Sequence, residues 1–419
     1  MADCPGIFKL ADMKDGPLAR IRLPSGRLNS KQIRMIASCA ENYAAGVIDL
    51  TNRANLQIRS VVREDISNLQ NALIKAGLSV ADPAHDRVRN IAIDPLSGLV
   101  PEVLNCRPLA IELDEALSKY AGTINLSPKF SFIIDGGGPS NIAALKHDMA
   151  FKAVKNAKEE VQFRTSFAGQ PIGAPLRPES LIETIITWLK SLSETIKDQP
   201  LRLKTSMDQA QRPALEDILN ISKEPYPKAD IWPKSLNPLR GVHPQSDAAK
   251  VAINLSLANG RLQYFQLQGL AELADKYSQG EIHLTPWQSI IMPNVRGDDI
   301  APVWEKAEAL GLLTQEAEQN LQVLSCAGSE GCVHGGFETK MTALEIREAL
   351  NHMAFPSRTT VHLSACEKGC ASREKSTILV MQRQTEPHIH LYANAAPCTK
   401  NAGKSVSRDK LIAELKKLL

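Results

Sequence analysis

Residues 26–51 read GRLNSKQIRMIASCAENYAAGVIDLT, and residues 260–285 read GRLQYFQLQGLAELADKYSQGEIHLT. Laid over one another without a gap, the two stretches share Gly26/Gly260, Arg27/Arg261, Leu28/Leu262, Gln32/Gln266, Ala37/Ala271, Ala40/Ala274, Tyr43/Tyr277, Gly46/Gly280, Ile48/Ile282, Leu50/Leu284 and Thr51/Thr285. Chance would supply about one or two such identities, because even a common residue type makes up only some 5–10% of a protein. The chain therefore carries a duplicated unit. Each copy reads as strand, glycine turn, helix, glycine turn, strand. The alternation in LARIRL (18–23) and VAINLSL (251–257) predicts strands. Helices are predicted over Ser30–Tyr43 and Tyr264–Tyr277. Gly46 and Gly280 stand where a helix C-terminus takes a residue with positive φ, and VIDLT and EIHLT predict the second strands. A helix on flanking strands is an α+β unit.

Outward from the repeat, the two halves follow one plan. After copy one, PKFSFIIDGGG (128–138) predicts a buried strand running into a glycine turn, and SLIETIITWLKSL (180–192) has the apolar spacing of an amphipathic helix. After copy two comes a cysteine-bearing region that ends in the amphipathic RDKLIAELKKLL (408–419). Residues 198–244, rich in proline and charge, read as the connection. The expected division is a first repeat unit at 1–78, a larger α+β domain at 79–197, a linker at 198–244, a second repeat unit at 245–310 and a cysteine-bearing α+β domain at 311–419.

Composition narrows the function classes. A chain of 419 residues with 43% hydrophobic and 23% charged side chains is long enough for several cores. Its 49 basic and 46 acidic residues leave a net charge of only +3, which argues against a nucleic-acid surface or a membrane patch. No apolar run approaches the roughly 18 residues of a membrane helix, and the N-terminal stretch lacks a secretory pattern. A cytoplasmic location is expected. Eight cysteines are then thiols or metal ligands rather than disulfides.

Four of those cysteines form two tight pairs. Cys326 and Cys332 make a C-x5-C stretch, and Cys366 and Cys370 a C-x3-C stretch. A predicted helix (TALEIREALNHM, 342–353) and strand (RTTVHLSA, 358–365) lie between, so both pairs fall on loops at element ends. Four thiolates from two loops can surround an iron–sulfur cubane. Gly328, Gly331 and Gly369 would let backbone N–H groups approach the sulfurs. A structural zinc site is the rival reading, although its ligands usually stand two to four residues apart; four unligated cysteines is the third. Cys4, Cys39, Cys106 and Cys398 have no partner at ligand spacing and read as structural thiols. Asp135-Gly136-Gly137-Gly138 lacks the spacing of a phosphate loop, and no dinucleotide fingerprint occurs, so electrons are expected from a separate protein.

The C-x5-C and C-x3-C pairs, the LSACEKGCA stretch (363–371) and the duplication together resemble the sulfite and nitrite reductase superfamily. TNRANLQ (51–57) is similar to that family's Thr-x-Arg-x-x-x-Gln strand, Arg89-Asn90 to a second anion-facing arginine site, and Pro128-Lys129-Phe130 to its lysine strand. The resemblance implies two ferredoxin-like half-domains, each followed by a larger α+β domain. It also implies one 4Fe–4S cluster on Cys326, Cys332, Cys366 and Cys370, with Cys370 as the residue that bridges to sirohaem in the reductases. Arg53, Asn55, Gln57, Arg89 and Lys129 would then face a tetrapyrrole, with Arg59 a further candidate; Ser131 replaces a second lysine of the sulfite reductases.

Within the superfamily, CPGIF (4–8), DGPLARIRLPSGRL (15–28), KFSFIIDGGG (129–138) and LTPWQSIIMP (284–293) are most similar to the precorrin-3B synthases, whose pattern has an arginine where Gln288 stands. That branch implies an oxygen-dependent monooxygenase of aerobic cobalamin biosynthesis. Such an enzyme hydroxylates precorrin-3A at C-20 and closes a γ-lactone, with dioxygen as co-substrate, NADH as formal reductant through a separate donor, and a mononuclear non-haem iron besides the cluster. The alternative is a sirohaem-dependent sulfite or nitrite reductase. Trp287 and Phe130 are candidates to pack on a macrocycle or in the core. For a mononuclear iron the sequence offers His85, His334, His362, and His388 with His390 on one strand face. It singles out no catalytic residue.

Overall fold

The computed structural model describes residues 4–196, 199–203, 216–217, 219, 232–233, 236–314, 320–350, 352–355, 359–383, 386 and 388–419. Much of the expected linker at 198–244 lies outside the described residues. The rest is a duplicated α+β fold with four sheets.

The predicted repeat helices form over Ser30–Tyr43 and Tyr264–Tyr277. Their starts explain one of the repeat's identities. Asn29 accepts the Gln32 N–H at 2.9 Å while Gln32 accepts the Asn29 N–H at 3.1 Å, and the Gln266 side chain accepts the Gln263 N–H at 2.8 Å. The glutamine at the third helical position closes a capping box in both copies. Gly46 and Gly280 end these helices at φ of 76° and 75°, as expected for a C-terminal cap.

The two copies do not stand apart. Each contributes a short strand after its first glycine turn, and that strand leaves its own sheet. Arg261–Gln263 of copy two pairs with Val47–Leu50 of copy one, and Arg27–Asn29 of copy one pairs with Glu281–Leu284 of copy two. One sheet thus runs Ala11–Met13, Gly16–Ile21, Leu56–Ile58, Val47–Leu50, Arg261–Gln263; its counterpart runs Val242–Pro244, Lys250–Leu257, Ser289–Arg296, Glu281–Leu284, Arg27–Asn29. A repeat read as a self-contained unit misses this exchange, because three residues of strand carry too little periodicity to reveal their partner. Ile33, Ile36 and Ala40 of the first helix share a single core with Leu267, Leu270 and Ala274 of the second. The exchange covers an edge of each sheet and merges two small cores into one larger one.

The larger domains share a topology that their sequences barely show. Ile91–Ile93, Phe132–Asp135 and Met149–Lys155 run parallel, followed by antiparallel Val161–Phe167 and Gln170–Leu176. Leu321–Ser325, Thr359–Ser364 and Ser376–Gln382 run parallel, followed by antiparallel Ile389–Ala395 and Lys404–Val406. In both, chemistry-bearing loops leave the ends of the first two parallel strands. In copy two those loops carry the cysteine pairs. In copy one Asp94 follows the first strand and Asp135 ends the second, both buried, with Ser140 donating to Asp94 and the Gly137 and Ala143 N–H groups donating to Asp135 at 2.8 and 2.9 Å. A Cβ on Gly136 would lie 2.6 Å from the Leu104 carbonyl oxygen, so backbone fills the space at that loop.

Candidate functional site: a four-cysteine centre beside a cationic face

Cys326 follows the strand Leu321–Ser325, Cys332 follows the one-turn helix Gly328–Gly331, and Cys366 and Cys370 follow the strand Thr359–Ser364. Parallel pairing of these two strands brings the loops together: the Cys326 N–H donates to the Leu363 carbonyl at 3.2 Å, and the Ala365 N–H donates to the Cys326 Sγ at 3.3 Å. Burial and the neighbouring sulfurs of Cys326 and Cys332 push the Cys366 thiol up, against the pull of the Lys368 backbone N–H. Desolvation and repulsion from Cys326, Cys366 and Cys332 push Cys370 up to about 11. A coordinating metal would invert this logic and deprotonate the thiols.

That donor set fits a 4Fe–4S cluster. A cubane takes its four thiolates around a volume, one at each iron corner. Among the described residues no three Cys, His, Asp or Glu side chains converge on a single-ion position, so neither the zinc reading nor a mononuclear iron finds a matching set there. The candidate histidines are dispersed. His85 Nε2 lies 3.0 Å from Asp114 Oδ1, and His390 Nε2 lies 2.7 Å from Glu386. His362 is buried with neither ring nitrogen bonded among the described residues, and His334 is exposed. His388 precedes the strand Ile389–Ala395 instead of sharing a strand face with His390. The loop glycines also differ from expectation. The backbone donors to sulfur are Ala365 and Lys368, whereas Gly328 admits the Thr339 backbone and Gly331 admits the Arg59 side chain.

The tetrapyrrole-facing candidates divide into two groups. Arg53, half-buried, reaches the Lys129 carbonyl at 3.4 Å, which brings the Thr51–Gln57 stretch against the turn that precedes the strand Phe132–Asp135. Gln57 accepts from Arg20 at 2.7 Å when its amide oxygen faces that guanidinium. Burial lowers the pKa of Arg53, and Arg20 and Arg202 repel it while Cys4 and Asp148 attract it. Arg53, Arg20 and Arg202 thus form a cluster of arginines, with Asp148 as a counter-charge to Arg202 at 3.1 Å. Asn52, next to Arg53, donates to the Cys370 carbonyl at 3.3 Å, so these arginines adjoin the cysteine loops. The second group is tied up inside the fold. Arg89 gives Nε and Nη2 to Asp114 at 2.9 and 2.8 Å. Asn55 accepts the Leu23 N–H at 3.1 Å and donates to Asn90, which donates to the Phe130 carbonyl. Asn55 thus joins the half-domain to the larger domain, whereas Arg89 and Asp114 pair within the larger domain.

Phe130 is fully buried beside Phe132, and Trp287 packs with Leu96, Leu99, Val100 and Val103; both are core. Gln288 turns back at φ 61° to donate to the Leu50 carbonyl at 3.1 Å. The hydroxyl of Ser131 is buried without a partner among the described residues, and the Ser131 N–H donates to Asp148 at 3.1 Å. Sequence reasoning missed Cys4, taken as a structural thiol. Arg20 donates to its sulfur at 2.6 Å; burial raises the thiol pKa, but Arg20, Arg22 and Arg53 outweigh it and lower the net value. No local signal marks that meeting, because the arginines come from a different strand and loop.

The family pattern described as the nitrite/sulfite reductase ferredoxin-like half domain matches residues 12–76 and 243–310, and that described as the nitrite and sulphite reductase 4Fe-4S domain matches residues 84–198. The chain belongs to the sulfite and nitrite reductase superfamily. The second pattern falls on a stretch whose only cysteine is Cys106; the four-cysteine set of this superfamily member lies in the duplicate of that domain. A ferredoxin–nitrite reductase of Synechococcus elongatus is 28% identical over 391 residues, covering 87% of this chain and 76% of that protein. A precorrin-3B synthase of a Sinorhizobium species is 27% identical over 388 residues, covering 90% and 80%. The chloroplastic ferredoxin–nitrite reductase of Spinacia oleracea is 26% identical over 411 residues, covering 91% and 68%. The Mycobacterium tuberculosis NirA structure has the same fold, with a TM-score of 0.74 at 18% identity over 95% of this chain and 79% of that one. Like these superfamily relatives, the chain is an oxidoreductase. No helix among the described residues is long and apolar enough to cross a membrane.

Proposed function

We propose that this oxidoreductase is the oxygen-dependent monooxygenase that converts precorrin-3A to precorrin-3B, with one 4Fe–4S cluster on Cys326, Cys332, Cys366 and Cys370. The observation that carries the reading is the junction at Asn52 and Arg53. Asn52 donates to the Cys370 carbonyl while Arg53, in the field of Arg20 and Arg202, donates to the Lys129 carbonyl, so a cluster of arginines adjoins the cysteine centre. Planar guanidinium forks suit a substrate that carries many carboxylates. The cluster, when bound, supplies one-electron transfer. Arg53, Lys129 and Gln57 with Arg20 bind and orient the carboxylates, while Asn55 joins the half-domain to the larger domain. One oxygen atom of dioxygen enters C-20 and the other leaves as water. The two electrons required come formally from NADH through a separate donor protein. A mononuclear iron finds no matching ligand set among the described residues, and no step is assigned to one.

Ser131 favours this reading over sulfite reduction, since it removes one cation from the face where sulfite reductases carry a second lysine. The similarity to ferredoxin–nitrite reductases, equal to that with the precorrin-3B synthase, keeps sirohaem-dependent nitrite reduction as the second reading. A visible spectrum of the purified protein decides. Broad absorption near 400 nm alone, with oxygen-dependent turnover of precorrin-3A, is the expected result. A Soret band with sirohaem charge-transfer absorption overturns the monooxygenase.

A further inference from the structure

Three side chains of the first half-domain donate to backbone carbonyls of the cysteine loops. Asn52 reaches Cys370 at 3.3 Å, Lys14 reaches Ser329 at 2.8 Å, and Arg59 reaches Gly331 at 3.1 Å. Asn52 and Lys14 are exposed, whereas Arg59 is 2% exposed. Its guanidinium is held from behind: Nε and Nη2 each lie 2.7 Å from Asp15, and Nη1 lies 3.2 Å from Asp49. Two carboxylates therefore fix the planar fork before it meets the loop. Gly331 ends the one-turn helix and precedes Cys332. The last carbonyls of a helix have no partner within it, and Arg59 satisfies this one. A Cβ on Gly331 would stand 2.3 Å from Arg59 Nη2, so only glycine allows the approach.

We infer that Arg59 is a positioning residue for the Cys332 ligand: through the Gly331 carbonyl it sets the C-x5-C loop at the distance a cubane needs from the C-x3-C loop. This rests on the reading of the four cysteines as cluster ligands. The two loops come from separate strands, and a cluster that bridges them is retained only while both keep their places. Groups that orient metal ligands from behind typically change metal affinity by about 10- to 100-fold when altered.

The test uses anaerobically purified full-length protein as wild type, Arg59→Lys, Gly331→Ala and the double variant. Lysine keeps the charge beside Asp15 and Asp49 but lacks the fork. The alanine displaces the guanidinium from the loop side without touching Arg59. Iron and sulfide are counted, iron release to a ferrous chelator is timed, and the EPR spectrum of the reduced cluster is recorded. The expected result is iron release accelerated by about tenfold or more in either single variant, no further acceleration in the double, and an EPR spectrum shifted alike in both. Release and spectra unchanged from wild type overturn the inference, as do additive effects in the double variant, because these place the two residues in separate roles. A variant too unstable to purify is replaced by its partner, whose release rate and spectrum decide alone. Wild-type protein without iron and sulfide overturns the cluster reading first and this inference with it.

Discussion

Arg261 of the second repeat grips Asp49 of the first, with Nε 2.7 Å from Oδ1 and Nη2 3.1 Å from Oδ2. The pair spans the exchanged strands, where Arg261 stands opposite Asp49 in register. Asp49 also receives Arg59 at 3.2 Å and lies in the field of Lys340. Lys340, itself buried and pushed down to about 8 by that burial, donates to the carbonyls of Asn259 and Ser325. One carboxylate thus joins the two half-domains, while Lys340 in its field holds the end of the strand that leads into Cys326.

Replacing Asp49 by Ala leaves Arg59, Arg261 and Lys340 without their shared counter-charge. Breaking a buried pair from one side costs about 3–5 kcal/mol, so the denaturant midpoint should drop sharply at pH 7. Burial opposes ionisation of Asp49, but Lys340, Arg261 and Arg59 hold its carboxyl below the ordinary range. Its contribution is therefore present above the usual carboxylate pKa and is lost as pH falls through the depressed value. The gap between wild type and Asp49→Ala should narrow in acid; a gap independent of pH would contradict this assignment.

Asp94 behaves in the opposite sense. Burial, and then the neighbouring Asp135, raise it to about 6. The stability that goes with its protonated form is complete below the usual carboxylate pKa and is lost as pH rises through about 6, a change of roughly 3 kcal/mol. Asp94→Asn should remove that slope. Urea midpoints at pH 4.5 and 7.5 test it: the variant should gain on wild type at the higher pH and not at the lower.

Arg53 and Arg89 should separate binding from folding. Arg53→Met removes a fork from the cluster of arginines, and a charged hydrogen bond of about 1.5–3 kcal/mol corresponds to roughly 10- to 100-fold in affinity. The tetrapyrrole KM should rise with little change in melting temperature. Arg89→Met instead strands Asp114 and should lower the melting temperature while leaving KM near wild type in the folded fraction. Equal effects of the two variants on KM would place Arg89 on the binding face.

Cys366→Ser should abolish most of the iron and acid-labile sulfide, whereas Cys106→Ser should leave both in place. Cys106 is buried in the core of the first larger domain, and no other cysteine falls between residues 84 and 198 to complete a ligand set with it. Iron content that follows Cys106 rather than Cys366 would move the centre to the other copy.

Several features were legible in the residues alone because their causes are local. The repeat, its two helices and the cap glycines follow from spacing within a few turns of chain. The C-x5-C and C-x3-C pairs stand out by their spacing in the same way. The strand exchange that puts Arg261 on Asp49 was not legible, because three-residue strands carry no pattern that names a distant partner. The same holds for the division of the expected tetrapyrrole residues. Arg53 and Arg89 look alike in sequence, and only packing against the helix Arg107–Tyr120 gives Asp114 to Arg89 and leaves Arg53 beside Lys129. Nor does a sequence show that Gly331 stands aside for Arg59 across 272 residues. Short-range chemistry is written in neighbouring letters, whereas buried charge is paired by whichever elements the core brings together.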